Sequence, residues 1–134
     1  MIDLRTELLR LADHLAVAVF QYTTEDELQA AVTAELARLG ASPVREYRLS
    51  DGRSRVDIWL TPFEDWDLPV TQGVALELKI DGTAADVRRQ LDRYAACPEV
   101  EGIILVTTRS KHHHLPPTMN GKPVLLCSLI GAGL

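Results

Sequence analysis

Within the apolar run Val74-Ala75-Leu76-Glu77-Leu78-Lys79-Ile80, the charged residues Glu77 and Lys79 stand two positions apart. Alternate side chains of an extended strand share a face, so this carboxylate and amine leave the strand together. Burying either charge without a partner costs roughly several kcal/mol, so the two must pair with each other, meet water or bind something. Asp57, set between Val56 and Ile58 of an earlier alternating segment, is a third charge in the same kind of surroundings. Two carboxylates on neighbouring strands, with the backbone carbonyl of Leu78 and waters, form a hard oxygen site suited to Mg²⁺ or Mn²⁺. A lysine beside them can orient or deprotonate an attacking water, and that combination is what hydrolysis of a phosphodiester requires. The competing account is a structural ion pair, because exposed alternating strands often carry Glu–Lys pairs. Asp57 in the preceding strand favours the chemical reading.

These residues need elements to hold them. Leu4, Leu8, Leu11, Leu15 and Val19 recur at three- and four-residue spacing, which predicts an amphipathic helix within residues 1–22 that covers the core or meets a partner. Thr24 with Glu27 matches a capping box, and Leu28, Val32, Leu36 and Leu39 before Gly40 complete a second helix over Thr24–Leu39. Val44–Leu49 and Arg55–Leu60 alternate around the turn Ser50-Asp51-Gly52 and read as a hairpin carrying Asp57. Pro62–Gly73 reads as a loop, with Glu64, Asp65 and Asp67 suited to an edge or a partner surface, and Val74–Ile80 as a strand. Asp81-Gly82-Thr83 turns the chain into a third helix, Ala84–Ala96, followed by a buried strand at Gly102–Thr107. After a loop with Pro116, Pro117 and Gly121, Pro123–Leu129 forms the last strand. Strand, crossover helix and strand imply a parallel pair in a mixed sheet, so the expected class is α/β in one domain, residues 1–134.

Composition narrows the field. A chain of 134 residues with 46% hydrophobic content suits a single core. The N-terminal apolar stretch Leu15–Phe20 is too short for a membrane span and no signal peptide is evident, so the expected location is the cytoplasm. Cys97 and Cys127 lack CxxC spacing and read as buried free thiols. A net charge of −5 excludes coating of nucleic acid by bulk electrostatics. Arg53 and Arg55, then Arg88, Arg89 and Arg93, then Arg109, Lys111 and His112–His114 form basic clusters that a fold can gather into a groove. Of these, Arg55, Arg88, Arg89, Arg93 and Lys111 are the candidate nucleic-acid contacts, although a solvated face is the commoner explanation for the helix arginines. Adjacent histidines seldom converge on one ion, so His112–His114 read as a mobile basic loop. Trp59 and Trp66 could stack on bases but suit core or loop packing better.

Asp57 in Arg55-Val56-Asp57, an intervening hairpin and loop, then Glu77-Leu78-Lys79, together resemble the PD-(D/E)XK nuclease signature, and the element order from about Thr24 to Thr108 resembles that superfamily's restriction-endonuclease-like core. Glu25 and Gln29, one helical turn apart, are similar to the ExxxQ pattern of virus-type replication–repair nucleases, whose glutamate assists the metal site; Glu27 is its rival. Gln90-Leu91-Asp92-Arg93-Tyr94 is similar to the QxxxY motif of RecB-like nucleases, which gives Gln90 and Tyr94 supporting roles. The resemblance implies a Mg²⁺- or Mn²⁺-dependent nuclease, DNA being the more expected substrate than RNA, with Asp57 and Glu77 on the metal, Lys79 activating water and Glu25 completing the shell. A small endonuclease of structure-selective kind, dimeric like resolvase-type relatives, fits this picture. The alternatives are a nuclease-fold binding module without turnover, and a subunit that needs a helicase or another protein partner.

Overall fold

Of the 134 residues, the computed structural model describes 3–61, 72–108 and 114–129. Their order is α1 (Leu4–Val17), α2 (Glu25–Arg38), β1 (Pro43–Arg48), β2 (Arg55–Leu60), β3 (Gly73–Lys79), α3 (Ala84–Ala95), β4 (Val100–Thr107), β5 (Thr118–Met119) and β6 (Lys122–Ser128). Each helix begins on a side-chain cap. Asp3 accepts from the Thr6 amide, Thr24 from that of Glu27 and Thr83 from that of Asp86, satisfying amides that a helix start leaves unpaired. β2 matches its expected limits, and the other predicted strands fall up to two residues from the periodicity, because ladder partners rather than side-chain alternation decide where pairing stops.

The class is α/β, with six strands in an open mixed sheet of order β1-β2-β3-β4-β6-β5. The pairs β1–β2 and β2–β3 are antiparallel, whereas β3, β4 and β6 run parallel to one another. β4 is buried at every position from Gly102 to Thr107, as expected of a strand flanked by parallel partners and covered on both faces. The short β5 pairs with β6 across Asn120 and Gly121, which take φ of 51° and 76°. It lies inside the stretch read from sequence as loop, although Asn-Gly is a strong hairpin signal.

Two cores flank the sheet. Leu8, Leu11 and Leu15 of α1 and Leu28, Val32 and Leu36 of α2 pack on Ile58, Leu76, Leu78, Ile104 and Val106. Val87, Leu91 and Tyr94 of α3 pack on the other face against Trp59, Ala75, Ile103 and Leu105. Val19, expected on the α1 stripe, is instead 87% exposed. The helix ends first, since Ala18 is already extended at φ −71° and ψ 146°. Among the described residues no helix is long and apolar enough to cross a membrane.

The indole of Trp59 lies stacked on Tyr47 with centroids 4.7 Å apart, and the Gly73 backbone lies close against its ring. A Cβ at Gly73 would lie 2.4 Å from the indole and 3.0 Å from the Leu60 carbonyl oxygen. Gly73→Ala should therefore destabilise the fold by about 1–3 kcal/mol through overpacking. A urea midpoint lowered at constant slope is the expected result; an unchanged midpoint would mean that Trp59 can move aside.

Candidate active site

β2 and β3 pair from Leu60↔Val74 to Ile58↔Leu76, and there the ladder stops. One step further, the register sets Asp57 opposite Glu77, so both project from the sheet face covered by α3, with Lys79 two residues on. Opening of the ladder frees main-chain amides on the β3 edge. The Leu78 amide donates to Asp57 Oδ2 at 2.8 Å, and the Ile80 amide donates to Glu25 Oε1, also at 2.8 Å. Two carboxylates thus take the place of a strand along the seam. Strand geometry directs the N–H and C=O of a residue to the same edge, which turns the Leu78 carbonyl toward Asp57 as well.

Level with the opening, β1 is irregular. Glu46 falls between the pairs Arg45↔Ile58 and Tyr47↔Val56, level with Asp57, and has the left-handed φ of 54°. That conformation is uncommon for a residue with a side chain and breaks the regular run of the strand. Beyond it the hairpin leaves β3 and lies against α3. The Ser50 amide and hydroxyl donate to Glu99 at 2.7 and 2.8 Å, Tyr94 Oη sits 2.9 Å from the Arg55 carbonyl, and Leu49 and Val56 join the α3-side core.

Glu77 is 1% exposed, with Lys79 Nζ 3.5 Å from Oε2 and Tyr94 Oη 2.9 Å from Oε1. Burial, and then repulsion from Asp57, push its carboxyl up to about 8, against the pull of Lys79 and Tyr94. Asp57 is also raised, chiefly by burial, with the Leu78 amide and Lys79 opposing. The pair therefore titrates as a unit and retains a proton at neutral pH. Tyr94 provides a geometric reason for where that proton sits. Its hydroxyl accepts from Gln90 Nε2 at 3.0 Å and touches two oxygens, Glu77 Oε1 and the Arg55 carbonyl, with one proton to give. When neutral Glu77 donates to Tyr94 and Tyr94 donates to Arg55, all these groups are satisfied. Burial and the Glu77 charge raise the Tyr94 phenol far above its ordinary range, so it stays protonated. Tyr94→Phe should cost about 1–3 kcal/mol by stranding buried partners, measurable in urea unfolding; an equal midpoint would mean that water replaces the hydroxyl.

Glu25 is thus the helix carboxylate at the seam, whereas Glu27 is engaged by Thr23 and Thr24 in the cap. Gln29 is buried but does not face the carboxylate pair. It accepts from Arg45 Nε at 2.6 Å and reaches Glu46 at 3.4 Å, so it braces β1 where the hairpin bends. Gln90 acts through Tyr94. Arg55 pairs with Glu46 at 3.3 Å. Arg88 and Arg93 are exposed on α3, and Arg89 is tied to Asp86. Trp59 is core, stacked on Tyr47. Lys111, Arg109, His112, His113, Trp66, Glu64, Asp65 and Asp67 lie outside the described residues. Glu46 is the residue that sequence reasoning missed; it and Glu25 both add to the raising of Asp57. Counting the hairpin register back from Asp57 would have found it.

Glu25, Glu46, Asp57 and Glu77 outnumber the cations Arg55 and Lys79 around the seam. An all-oxygen donor set with excess negative charge fits a hard divalent cation. Among the described residues no three His, Cys, Asp or Glu side chains form a metal-binding group, so main-chain oxygen would have to contribute. In comparisons with known proteins, the chain matches no protein-family model, no curated protein and no solved structure.

Proposed function

We propose that the protein is a metal-dependent phosphodiesterase that cleaves DNA, with a restriction-endonuclease-like core of the PD-(D/E)XK kind. The observation that carries this reading is the opposition of Asp57 and Glu77 beside Lys79 where the β2–β3 ladder opens. A buried carboxyl held neutral up to about pH 8 is poorly suited to a structural ion pair and well suited to ionising when a cation arrives. Asp57, Glu77 and the Leu78 carbonyl would hold Mg²⁺ or Mn²⁺, which when bound supplies Lewis acidity and offsets phosphate charge. Glu25 holds the end of β3 in place through the Ile80 amide and stands ready to extend the donor set.

The remaining work falls to the chain's own groups. Lys79, partly exposed beside a nearly inaccessible Glu77, presents its ammonium where an attacking water and the developing phosphorane charge meet. Its roles are to orient that water and to offset charge in the transition state. Tyr94, held by Gln90, fixes the position of the Glu77 carboxyl through a hydrogen bond. Arg55, Arg88 and Arg93 are the exposed cations that would meet the DNA backbone.

A second reading, a nuclease-fold binding module without turnover, is favoured by one specific observation. Asp57, Glu25 and Glu77 already have protein partners, two of them main-chain amides, so the seam is satisfied without a metal. A subunit that cuts only with a partner protein belongs to the same alternative. The deciding assay is cleavage of labelled single-stranded, duplex, flapped and four-way-junction DNA with Mg²⁺ or Mn²⁺, comparing wild type with Lys79→Ala. Metal-dependent cutting that Lys79→Ala lowers by at least about a hundredfold is expected. Folded protein that cuts none of these would leave the binding module in possession of the site.

A further inference from the structure

Away from the seam, an open surface pocket of about 280 Å³ lies between the β1–β2 turn and the C-terminal end of α3. Ala96, the buried Cys97 and Pro98 line it from the helix end, and Arg53 from the turn and Arg93 from α3 reach it as well. Both arginines are exposed, and neither has an acidic side-chain partner among the described residues. Asp51 also lines the cavity, but its carboxylate is occupied by the amides of Arg53 and Ser54 and by the Ser54 hydroxyl, which hold it down at about 2. Glu99 beside it is taken by Ser50.

Those charges define what the cavity can accept. A bare anion would gain two guanidinium groups but meet two fixed carboxylates, leaving little net attraction. A purely apolar group would leave both exposed guanidinium groups to water and draw nothing from them. A ligand with a flat apolar body for the Ala96–Pro98 wall and one anionic group for an arginine satisfies both, and a guanidinium can stack on such a body as well as bind its phosphate. The volume is near the lower end for small-molecule sites and suits one mononucleotide rather than a duplex.

We propose that this cavity holds one nucleotide of a nucleic-acid strand at a distance from the cleaved bond. The proposal rests on the nuclease reading for its purpose but not for its test. Its position is consistent with that purpose, because its two walls continue into the catalytic frame. Arg53 is two residues from Arg55, and Arg93 adjoins Tyr94, whose hydroxyl joins the Arg55 carbonyl to Glu77. A nucleotide seated there would press the hairpin and α3 together and so fix the hydroxyl that holds Glu77.

The test uses the full chain in EDTA, with deoxyadenosine monophosphate, deoxyadenosine and inorganic phosphate as separate probes followed by amide chemical shifts. Deoxyadenosine monophosphate should shift the amides of Arg53, Ala96 and Cys97 and bind at least about tenfold more tightly than either fragment. The double substitution Arg53→Ala with Arg93→Ala, at exposed positions, should weaken it by a similar factor, and so should Ala96→Leu, which fills the cavity and keeps the charges. Asp57→Asn should leave this binding unchanged. Equal binding of phosphate, shifts confined to the neighbourhood of Asp57 and Glu77, indifference to Ala96→Leu, or tighter binding of an acidic peptide would each overturn the proposal. Binding that follows the expected pattern in a protein that cuts no DNA would keep the pocket and remove the nuclease, so the two readings fail separately.

Discussion

Asp57→Asn is expected to lower DNA cleavage by about a thousandfold or more while leaving the fold intact. The asparagine carbonyl can still accept from the Leu78 amide, which Asp57 Oδ2 meets at 2.8 Å, so the open end of the β2–β3 ladder keeps its side-chain partner. What disappears is the negative charge opposite Glu77. That charge supplies half of the carboxylate pair proposed to hold the cation, and loss of electrostatic stabilisation at this level typically costs several kcal/mol in the transition state. Asp57→Ala should be equally inactive but also less stable by about 1–3 kcal/mol, since it strands the Leu78 amide. Chemical denaturation of both variants, alongside cleavage rates, separates the two effects. Cleavage by Asp57→Asn at near wild-type rate would remove Asp57 from the mechanism.

The second large effect concerns stability and pH. Glu77 has its carboxyl raised to about 8 in the folded protein, against 4.5 for an ordinary glutamate. The folded state therefore binds a proton that the unfolded chain has released. Stability from the neutral form is complete below about pH 4.5 and is lost as pH rises through about 8. Glu77→Gln removes this loss, because a neutral amide can still meet Tyr94. In EDTA at pH 8 the variant should exceed wild type by roughly 3 kcal/mol, and the two should converge toward pH 5. Glu35 and Asp51, both held down at about 2 by their hydrogen bonds, act in the opposite direction at low pH and are common to both proteins. Mg²⁺ should stabilise wild type and not the variant. Urea midpoints from pH 5 to pH 8 test this, and parallel curves would show that Glu77 ionises at no cost.

The α/β class, the helices, the hairpin and the parallel pair were readable in the sequence because each has a local signature: capping residues, a 3.6-residue stripe, alternation around a Gly turn, an unbroken apolar run. Convergence of Asp57, Glu77 and Lys79 was readable for the same reason, since strand parity alone decides which face a residue takes. Glu46 was readable only by counting register, and its conformation was not readable at all. Its place opposite Asp57 depends on hairpin register, and a glutamate at φ 54° has no compositional mark. Gln29 shows the limit of helical spacing, which put it on the correct face of α2 yet could not say that Arg45 would claim it first. Ownership of the Glu77 proton follows from burial depth and from the three contacts of one tyrosine hydroxyl, both of which exist only in the folded chain.

The two thiols offer a different kind of access to the molecule. Cys127 lies in the core under α1, its Sγ 3.3 Å from the Ala12 carbonyl, and burial pushes it up to about 12. Cys97 lies in the opposite core, also raised by burial, and both are free. A thiol that is neutral and enclosed reacts with a disulfide reagent only when its cover lifts. Cys127 is therefore a clock for the α1 side of the sheet, whereas Cys97, at the wall of the pocket beside the β1–β2 turn, reports on that pocket instead. In a variant that keeps only Cys127, the trapping rate under native conditions would time the lifting of α1 without denaturant.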